Sequence, residues 1–182
     1  EVAFLRAEGA LRGWNMGGSP KDLYEAGIRL SFEENNISSG VESYLANTGK
    51  VEGYKDPLKG QSGQTYDYSG SINTAVTVAW AGGDFEKSLE QIITQKWIAN
   101  FPNGMESWSE YRRTGYPKLM PMAANASSGI VDDTEGARRM PYPTDEYREN
   151  KESVEAAVLT LTQESKTKKG DSMATHVWWD CK

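Results

Sequence analysis

The chain has 182 residues, a formal net charge of −6 and a single cysteine, Cys181. This length fits one domain, or one domain with an appendage. Because the net charge is negative, we expect no general basic surface that would bind the phosphate backbone of a nucleic acid. No nucleic acid is therefore expected as a partner. A lone cysteine excludes a disulfide within the chain and a cysteine-rich zinc site, and no run approaches the ~18 consecutive apolar residues of a membrane-spanning helix.

Residues 1–36 are predicted to form a helical hairpin. The first helix covers Glu1 to about Trp14 and ends in a glycine-rich turn, where glycine tolerates a positive φ. The second helix begins with Ser19 as its N-cap and Pro20 at its first position, and runs to about Asn35. The short connection predicts an antiparallel pair. Small residues that would let the two helices approach closely are Ala7, Gly9, Ala10, Ala26 and Gly27.

A short helix at 41–47 is followed by a connector at 48–83, which is predicted to be irregular except for one alternating strand at 73–80. A loop of this length inside a compact domain is either functional or disordered. Its aromatic rings support two interpretations of equal weight: a platform for the C–H faces of sugars, or packing of the loop on itself. The candidate ligand-binding residues are Tyr54, Tyr66, Tyr68 and Trp80.

Residues 84–113 are predicted to form a second helical hairpin. Asp84 caps its first helix, and apolar residues recur on one face of that helix, namely Phe85, Leu89, Ile92, Ile93 and Trp97. The second helix covers about 105–113. Trp97 and Trp108 fall on helical stripes, so both are expected in the core.

The C-terminal residues 118–182 are predicted to be rich in loops. An extended stretch at 140–143 precedes a helical turn that Thr144 can cap. A further helix is expected from residue 150 or 151 to about 160. The aromatic segment at 174–180 is predicted to form a terminal strand or arm.

No combination of reactive side chains predicts catalysis. His176 and Cys181 could pair as base and nucleophile, but such a pair needs a third, orienting group, and their place in a tail segment favours an incidental role. A glycosidase needs two carboxylates about 5–10 Å apart in different environments, which a sequence alone does not reveal. Capping or solvation is the expected role of the acidic clusters Glu33–Glu34, Asp132–Glu135 and Asp145–Glu146. The cluster at 132–135 lacks the ligand spacing of a Ca²⁺ loop.

Two arginine pairs, Arg112–Arg113 and Arg138–Arg139, allow two interpretations. A planar guanidinium suits phosphate or carboxylate recognition. The interpretation that we favour is structural: Arg112 or Arg113 ties the free carbonyl groups at the end of its helix. No glycine-rich phosphate loop with a following Lys-Ser or Lys-Thr accompanies them.

Two motifs point to a known family. Residues 90–117 run from Glu-Gln-Ile-Ile-Thr-Gln-Lys-Trp to Arg-Arg-Thr-Gly-Tyr-Pro, and they resemble the SusD/RagB family of outer-membrane nutrient-binding lipoproteins. Residues 138–143 are similar to the family's Arg-Leu-Pro-Tyr-Pro box, with Met140 in place of the usual Leu. The helix at 1–14 and the closing Val177–Asp180 are also similar to family segments. The resemblance covers nearly the whole chain, and the connector is its least specific part.

The resemblance implies a mainly α fold of tetratricopeptide-like helical hairpins with long irregular loops. It implies a cell-surface lipoprotein of the outer membrane that captures a glycan or other oligomeric nutrient without catalysis. No cofactor or metal site is predicted from the residues, and whether a Ca²⁺ ion supports a loop is left open. It also implies a protein partner, a SusC-like TonB-dependent transporter. Family members are roughly two to three times as long, so we expect this chain to be a C-terminal portion without the N-terminal lipid anchor. Cys181 is not that anchor, and no ligand-binding residue carries over by motif.

Two other functions remain open from the sequence. A helical-repeat scaffold that binds only protein would not need the connector aromatics. A carboxylate-based glycoside hydrolase would need two acidic residues in one cleft. Binding without product formation separates the nutrient-binding protein from the hydrolase, and replacement of the connector aromatics separates it from the scaffold.

Overall fold

The computed structural model describes residues 1–50, 53–57, 67, 76–122 and 124–180. In this part of the chain the regular structure is helical, and an isolated β-bridge joins Asp132 and Gly136. The helices are α1 (Val2–Leu11), α2 (Pro20–Glu34), α3 (Val41–Leu45), α4 (Phe85–Ala99), α5 (Gly104–Thr114), α6 (Thr144–Glu149) and α7 (Lys151–Glu164). The expected mainly α fold is therefore confirmed. None of these helices is both long enough and apolar enough to span a bilayer.

The chain divides into two compact units. The first comprises Glu1–Tyr111 and Gly115–Lys118, and the second comprises Arg112–Thr114 and Leu119–Lys182. The last turn of α5 therefore groups with the second unit.

Side-chain caps begin three helices of the first unit. The Ser19 side chain accepts a hydrogen bond from the backbone N–H of Asp22, and Asp84 accepts one from Lys87, at 3.1 and 2.9 Å. Asn103 caps α5 in the same way. Each cap satisfies a backbone donor that a helix start leaves free, which confirms the predicted starts of α2 and α4.

The core of the first unit lies between α1, α2 and α4, which pack on one another. Phe4 from α1 and Tyr24 from α2 meet edge to face, with ring centroids 6.4 Å apart. The other fully buried side chains of this cluster are Ala7, Leu23, Ile28 and Ile92. Burial of these side chains is the main stabilising contribution to the hairpin of α1 and α2 and to its contact with α4.

A buried lysine joins α4 to α5 and to the start of α1. The side chain of Lys96 is 1% exposed, and its Nζ lies 2.8 Å from Glu106, 3.4 Å from Glu110 and 3.7 Å from Glu1. A buried ammonium group is tolerated only when it is paired in this way. Lys96 occupies a position of the buried stripe of α4 that an apolar residue would ordinarily fill.

Some sequence-based expectations differ from the structure. Trp97 is 40% exposed rather than in the core, because α4 buries the stripe that includes Ile92, Ile93 and Lys96. The strand predicted at 73–80 is wrong for residues 76–80, which are irregular; residues 73–75 lie outside the described part. Of the two forms predicted for the segment at 174–180, a strand or an arm, the structure shows an irregular arm, whose polar groups bond to side chains and turns of its own unit.

In the second unit, polar contacts join residues 138–142 and α6 to Asp171 and Asp180. Arg138 is 2% exposed, and its guanidinium makes two hydrogen bonds to the carboxylate of Asp180, one of them 2.8 Å long. Asp171 gathers a second set: it accepts from the Arg139 guanidinium, from the backbone N–H of Tyr142 and from the hydroxyl of Tyr147. Asp180 thus binds the start of the motif at 138–143, and Asp171 binds Tyr142 near its end.

Gly27 offers a sharp test of the close packing of α1 on α2. A Cβ at this position would lie 2.8 Å from two ring carbons of the buried Phe4. We expect Gly27→Ala to lower the free energy of unfolding by about 1–3 kcal/mol, because the core cannot absorb the added methyl group. The measurement is a urea titration.

Gly104→Ala is the matched control for Gly27→Ala. A Cβ at Gly104 meets nothing within 4 Å, and Gly104 begins α5 without a positive φ. This variant should be neutral or more stable by about 0.4–1 kcal/mol. Equal effects of the two substitutions would contradict the packing argument.

Candidate functional site

The structure describes two of the four candidate ligand-binding residues. Tyr54 is 41% exposed, and Trp80 is half-buried. Tyr66 and Tyr68 lie outside the described residues. Whether the four rings form one platform therefore stays a prediction. The contacts that the structure describes for the connector lie at its end, in residues 76–81.

The side chain of Gln91 holds this end of the connector against α4. Its Nε2 donates to the carbonyl oxygens of Thr77 and Ala79, at 2.7 and 2.8 Å, and its Oε1 accepts from the N–H of Ala81 at 3.2 Å. Gln91 itself is 1% exposed. The Gln91 side chain thus binds three backbone groups that a neighbouring β-strand would otherwise bind, so this segment does not need a strand partner.

Tyr24 holds the same segment from the side of α2. Its hydroxyl donates to the carbonyl oxygen of Val78 at 2.7 Å, and its ring packs on Trp80 with centroids 5.1 Å apart. Burial raises the pKa of Tyr24, and the nearby Tyr44 and Glu25 raise it further. The hydroxyl therefore remains a neutral donor over the physiological range. Trp80 is consequently fixed on a rigid support.

A groove next to this segment was not predicted from the sequence. It encloses about 410 Å³ between α2, α3 and the end of α4. Phe32 and Tyr44 line one wall with ring centroids 5.5 Å apart, and the Tyr44 hydroxyl donates to Gln95 at 2.9 Å. Three of its aromatic lining residues, Phe32, Tyr44 and Phe101, lie on separate segments of the sequence. No periodic pattern connects them, so nothing in the sequence indicated that they meet.

In the second unit, His176 links two acidic residues. The imidazole is 1% exposed; its Nε2 lies 2.6 Å from Glu135 and its Nδ1 lies 3.1 Å from the carbonyl oxygen of Asp180. Both ring nitrogens are therefore engaged in holding the C-terminal arm. Cys181, the proposed partner in a nucleophile–base pair, lies outside the described residues.

The acidic cluster at 132–135 acts as a turn. The Asp132 carboxylate accepts hydrogen bonds from the backbone N–H groups of Glu135 and Thr134, both at 2.9 Å, and these bonds lower the pKa of Asp132. In the part of the chain that the structure describes, no three His, Cys, Asp or Glu side chains converge as metal ligands. The expected role in capping fits these contacts.

Arg112, Arg138 and Arg139 form hydrogen bonds within the second unit. Arg112 donates to the carbonyl oxygen of Arg138 at 2.9 Å and stacks over Trp179 at 4.7 Å. In return Arg138 donates to the Arg112 carbonyl at the end of α5, at 3.3 Å. The carbonyl of Arg112 near the end of α5 is thus bound by Arg138, a partner that the sequence did not suggest.

Comparisons with known proteins agree with this fold. The family model for SusD-like proteins, described as Susd and RagB outer membrane lipoprotein, matches residues 1–180. A solved SusD homolog from Bacteroides ovatus is 88% identical with a TM-score of 0.89, and the match covers 100% of this chain and 36% of that chain. A SusD homolog from Bacteroides thetaiotaomicron is 49% identical with a TM-score of 0.82, covering 100% and 37%.

A third similar structure has a stated ligand. It is a chitin-binding SusD homolog from Flavobacterium johnsoniae, 45% identical with a TM-score of 0.79, and the match covers 98% of this chain and 35% of that chain. No curated protein matches the sequence. This chain spans little more than a third of the length of the three solved relatives. The match over 180 residues shows that the chain belongs to the SusD-like family, the family described as Susd and RagB outer membrane lipoproteins.

Proposed function

We propose that this chain is part of a protein that binds a glycan or another oligomeric nutrient at the cell surface without chemical turnover. The observation that carries the proposal is membership of the SusD-like family over residues 1–180. A relative that is 45% identical is described as chitin-binding, which favours an oligosaccharide over a peptide. We further propose that the whole protein sits in the outer membrane through a lipid anchor outside this chain and passes the nutrient to a SusC-like TonB-dependent transporter.

The helices provide the frame, and the connector provides the contacts to the ligand. Trp80 is suited to this task because Tyr24 and Gln91 fix the segment that carries it. Tyr54 adds an exposed ring, and Tyr66 and Tyr68 remain candidates from the sequence. A preorganised aromatic ring binds the apolar face of a sugar without a large ordering cost. Affinity at one such site is modest and is raised when several sites engage one polymer.

The proposal is tested by calorimetry on the full-length protein with chitin oligosaccharides, other glycans and peptides. Saturable binding of one class, with no new reducing ends or cleaved peptides in the same samples, is the expected result. Product formation that a Glu or Asp substitution removes would favour a carboxylate-based hydrolase instead. Binding to protein alone would favour a helical-repeat scaffold.

The connector aromatics should contribute directly to glycan affinity. We expect Tyr54→Ala to weaken binding by about two- to tenfold, because removal of one stacking ring costs about 0.5–1.5 kcal/mol. The exposed Trp14, in the turn between α1 and α2, provides the control Trp14→Ala, which should leave the affinity unchanged. Calorimetry with one glycan measures both variants. A loss with Trp14→Ala and none with Tyr54→Ala would place the ligand elsewhere.

A further inference from the structure

The imidazole of His176 lies between oxygen atoms on both sides of its ring. Its Nε2 lies 2.6 Å from Oε2 of Glu135, and its Nδ1 lies 3.1 Å from the carbonyl oxygen of Asp180. One oxygen of the Asp180 carboxylate also lies 3.3 Å from Nδ1. A carbonyl oxygen and an ionised carboxylate can only accept hydrogen bonds. Each ring nitrogen therefore meets an acceptor and needs a proton of its own.

A neutral imidazole cannot satisfy both of these partners. It carries one N–H group, and its other nitrogen presents a lone pair. If the Nδ1–H group bonds to the Asp180 carbonyl, the lone pair of Nε2 faces the Glu135 carboxylate at 2.6 Å, and no water molecule fits between the two atoms. An imidazolium, with a proton on each nitrogen, donates to both partners.

The additional proton belongs on the imidazole rather than on Glu135. The Glu135 side chain is 40% exposed, and a carboxyl group in contact with water is ionised at neutral pH. In the part of the chain that the structure describes, no Lys or Arg pairs with Glu135, so His176 is the group that meets its negative charge. The His176 ring itself is 1% exposed.

The other charges around the segment at 174–180 have partners of their own. Asp132, on the same turn as Glu135, lies 3.4 Å from Lys169. Arg138 bonds to the Asp180 carboxylate, and Arg112 lies over the ring of Trp179. These contacts leave the link between Glu135 and the ring to depend on the proton at Nε2.

We propose that His176 and Glu135 form a proton-dependent latch. The doubly protonated imidazole ties the arm at 174–180 to the turn at 132–136, and loss of the Nε2 proton to the solvent as the pH rises releases Glu135 from the ring. The Nδ1–H group stays on the Asp180 carbonyl, and the side chain of Glu135 turns into the water that it already reaches. The buried pair of Arg138 and Asp180 holds the arm in both states, because a guanidinium keeps its charge.

The proton count gives the sign of the pH dependence. In an unfolded chain, a histidine is largely neutral above about pH 7 and a glutamate is ionised. The folded protein therefore holds one proton more than the unfolded chain, and the equilibrium constant for unfolding should rise by up to about tenfold per pH unit above about pH 7, until the latch opens. The latch thus contributes stability in acidic and neutral solution and loses this contribution in alkaline solution.

The test is a series of urea titrations of the full-length protein between about pH 7 and pH 9. In Glu135→Gln, the amide N–H can donate to the lone pair of a neutral His176, so no additional proton is needed. The pH dependence of unfolding should therefore be weaker in this variant than in the natural sequence, by up to about tenfold per pH unit. Glu164→Gln, at the exposed end of α7, is the matched control and should keep the natural pH dependence. Equal pH dependence in the two variants would overturn the proposal.

Nitrogen-15 NMR of histidine in the unsubstituted full-length protein gives a test that does not depend on the folding of Glu135→Gln. The resonances of His176 are assigned by their absence from the spectrum of His176→Gln. Both ring nitrogens should carry a proton at pH 7.5, where a histidine in water is mostly neutral. A neutral ring at this pH, with or without a proton on Glu135, would contradict the proposal.

Discussion

Arg138→Met is expected to lower the free energy of unfolding by about 3–5 kcal/mol. The substitution preserves length and apolar volume but leaves the carboxylate of Asp180 buried without its guanidinium partner. It also removes the hydrogen bond from Arg138 to the carbonyl oxygen of Arg112. The Asp180 side chain is 0% exposed, so water cannot replace the lost guanidinium, and only weaker contacts such as His176 Nδ1 at 3.3 Å stay near the carboxylate.

A urea titration that is followed by circular dichroism measures the effect of Arg138→Met. Arg148→Met is the control, since Arg148 is 70% exposed and pairs only with exposed acids on α6. The control should change the free energy of unfolding by no more than about 1 kcal/mol. The double variant Arg138→Met, Asp180→Leu should recover part of the loss, because it removes both charges. A loss from Arg138→Met as small as that from the control would show that the buried pair is unimportant.

Gln91→Leu is expected to lower the free energy of unfolding by about 3 kcal/mol, because it removes three hydrogen bonds at once. The leucine fills similar space but cannot bond to the carbonyl oxygens of Thr77 and Ala79 or to the N–H of Ala81. The segment that carries Trp80 then loses its attachment to α4. Glycan affinity should therefore fall together with the order of residues 76–81.

Hydrogen exchange locates this effect in the chain. The amide of Ala81 should exchange much faster in Gln91→Leu, while amides in the middle of α7 should not change. Gln163→Leu, on the exposed face of α7, is the control and should stay within about 0.5 kcal/mol of the natural chain. Unchanged exchange at Ala81 would mean that other contacts hold the connector end.

Local signals predicted most of the helices because their chemistry is encoded within a few residues. Ser19 and Asp84 cap their helices as expected, and Gly27 lies where α1 and α2 approach closely. The family motifs at 90–117 and 138–143 then supplied the fold class. α1 ends at Leu11, about one turn earlier than predicted, because Gly13 has a positive φ that a right-handed helix does not contain.

Long-range contacts could not be predicted in this way. Arg138 and Asp180 are 42 positions apart, and no pattern in the sequence pairs them. The segment at 76–80 alternates like a strand, but the Gln91 side chain satisfies its backbone, so no second strand is needed. The groove of about 410 Å³ that Phe32 and Tyr44 line combines residues from four separate stretches of the chain, and only packing brings them together.

The buried ammonium group of Lys96 has a consequence for the conditions that the first unit tolerates. Dissolved ions screen charges that face the solvent, but they act weakly on a charge enclosed by protein. Because the Lys96 side chain is 1% exposed, its ion pairs with Glu1, Glu106 and Glu110 are screened less than pairs between two exposed side chains. We therefore expect the contacts among α1, α4 and α5 to depend only weakly on the salt concentration.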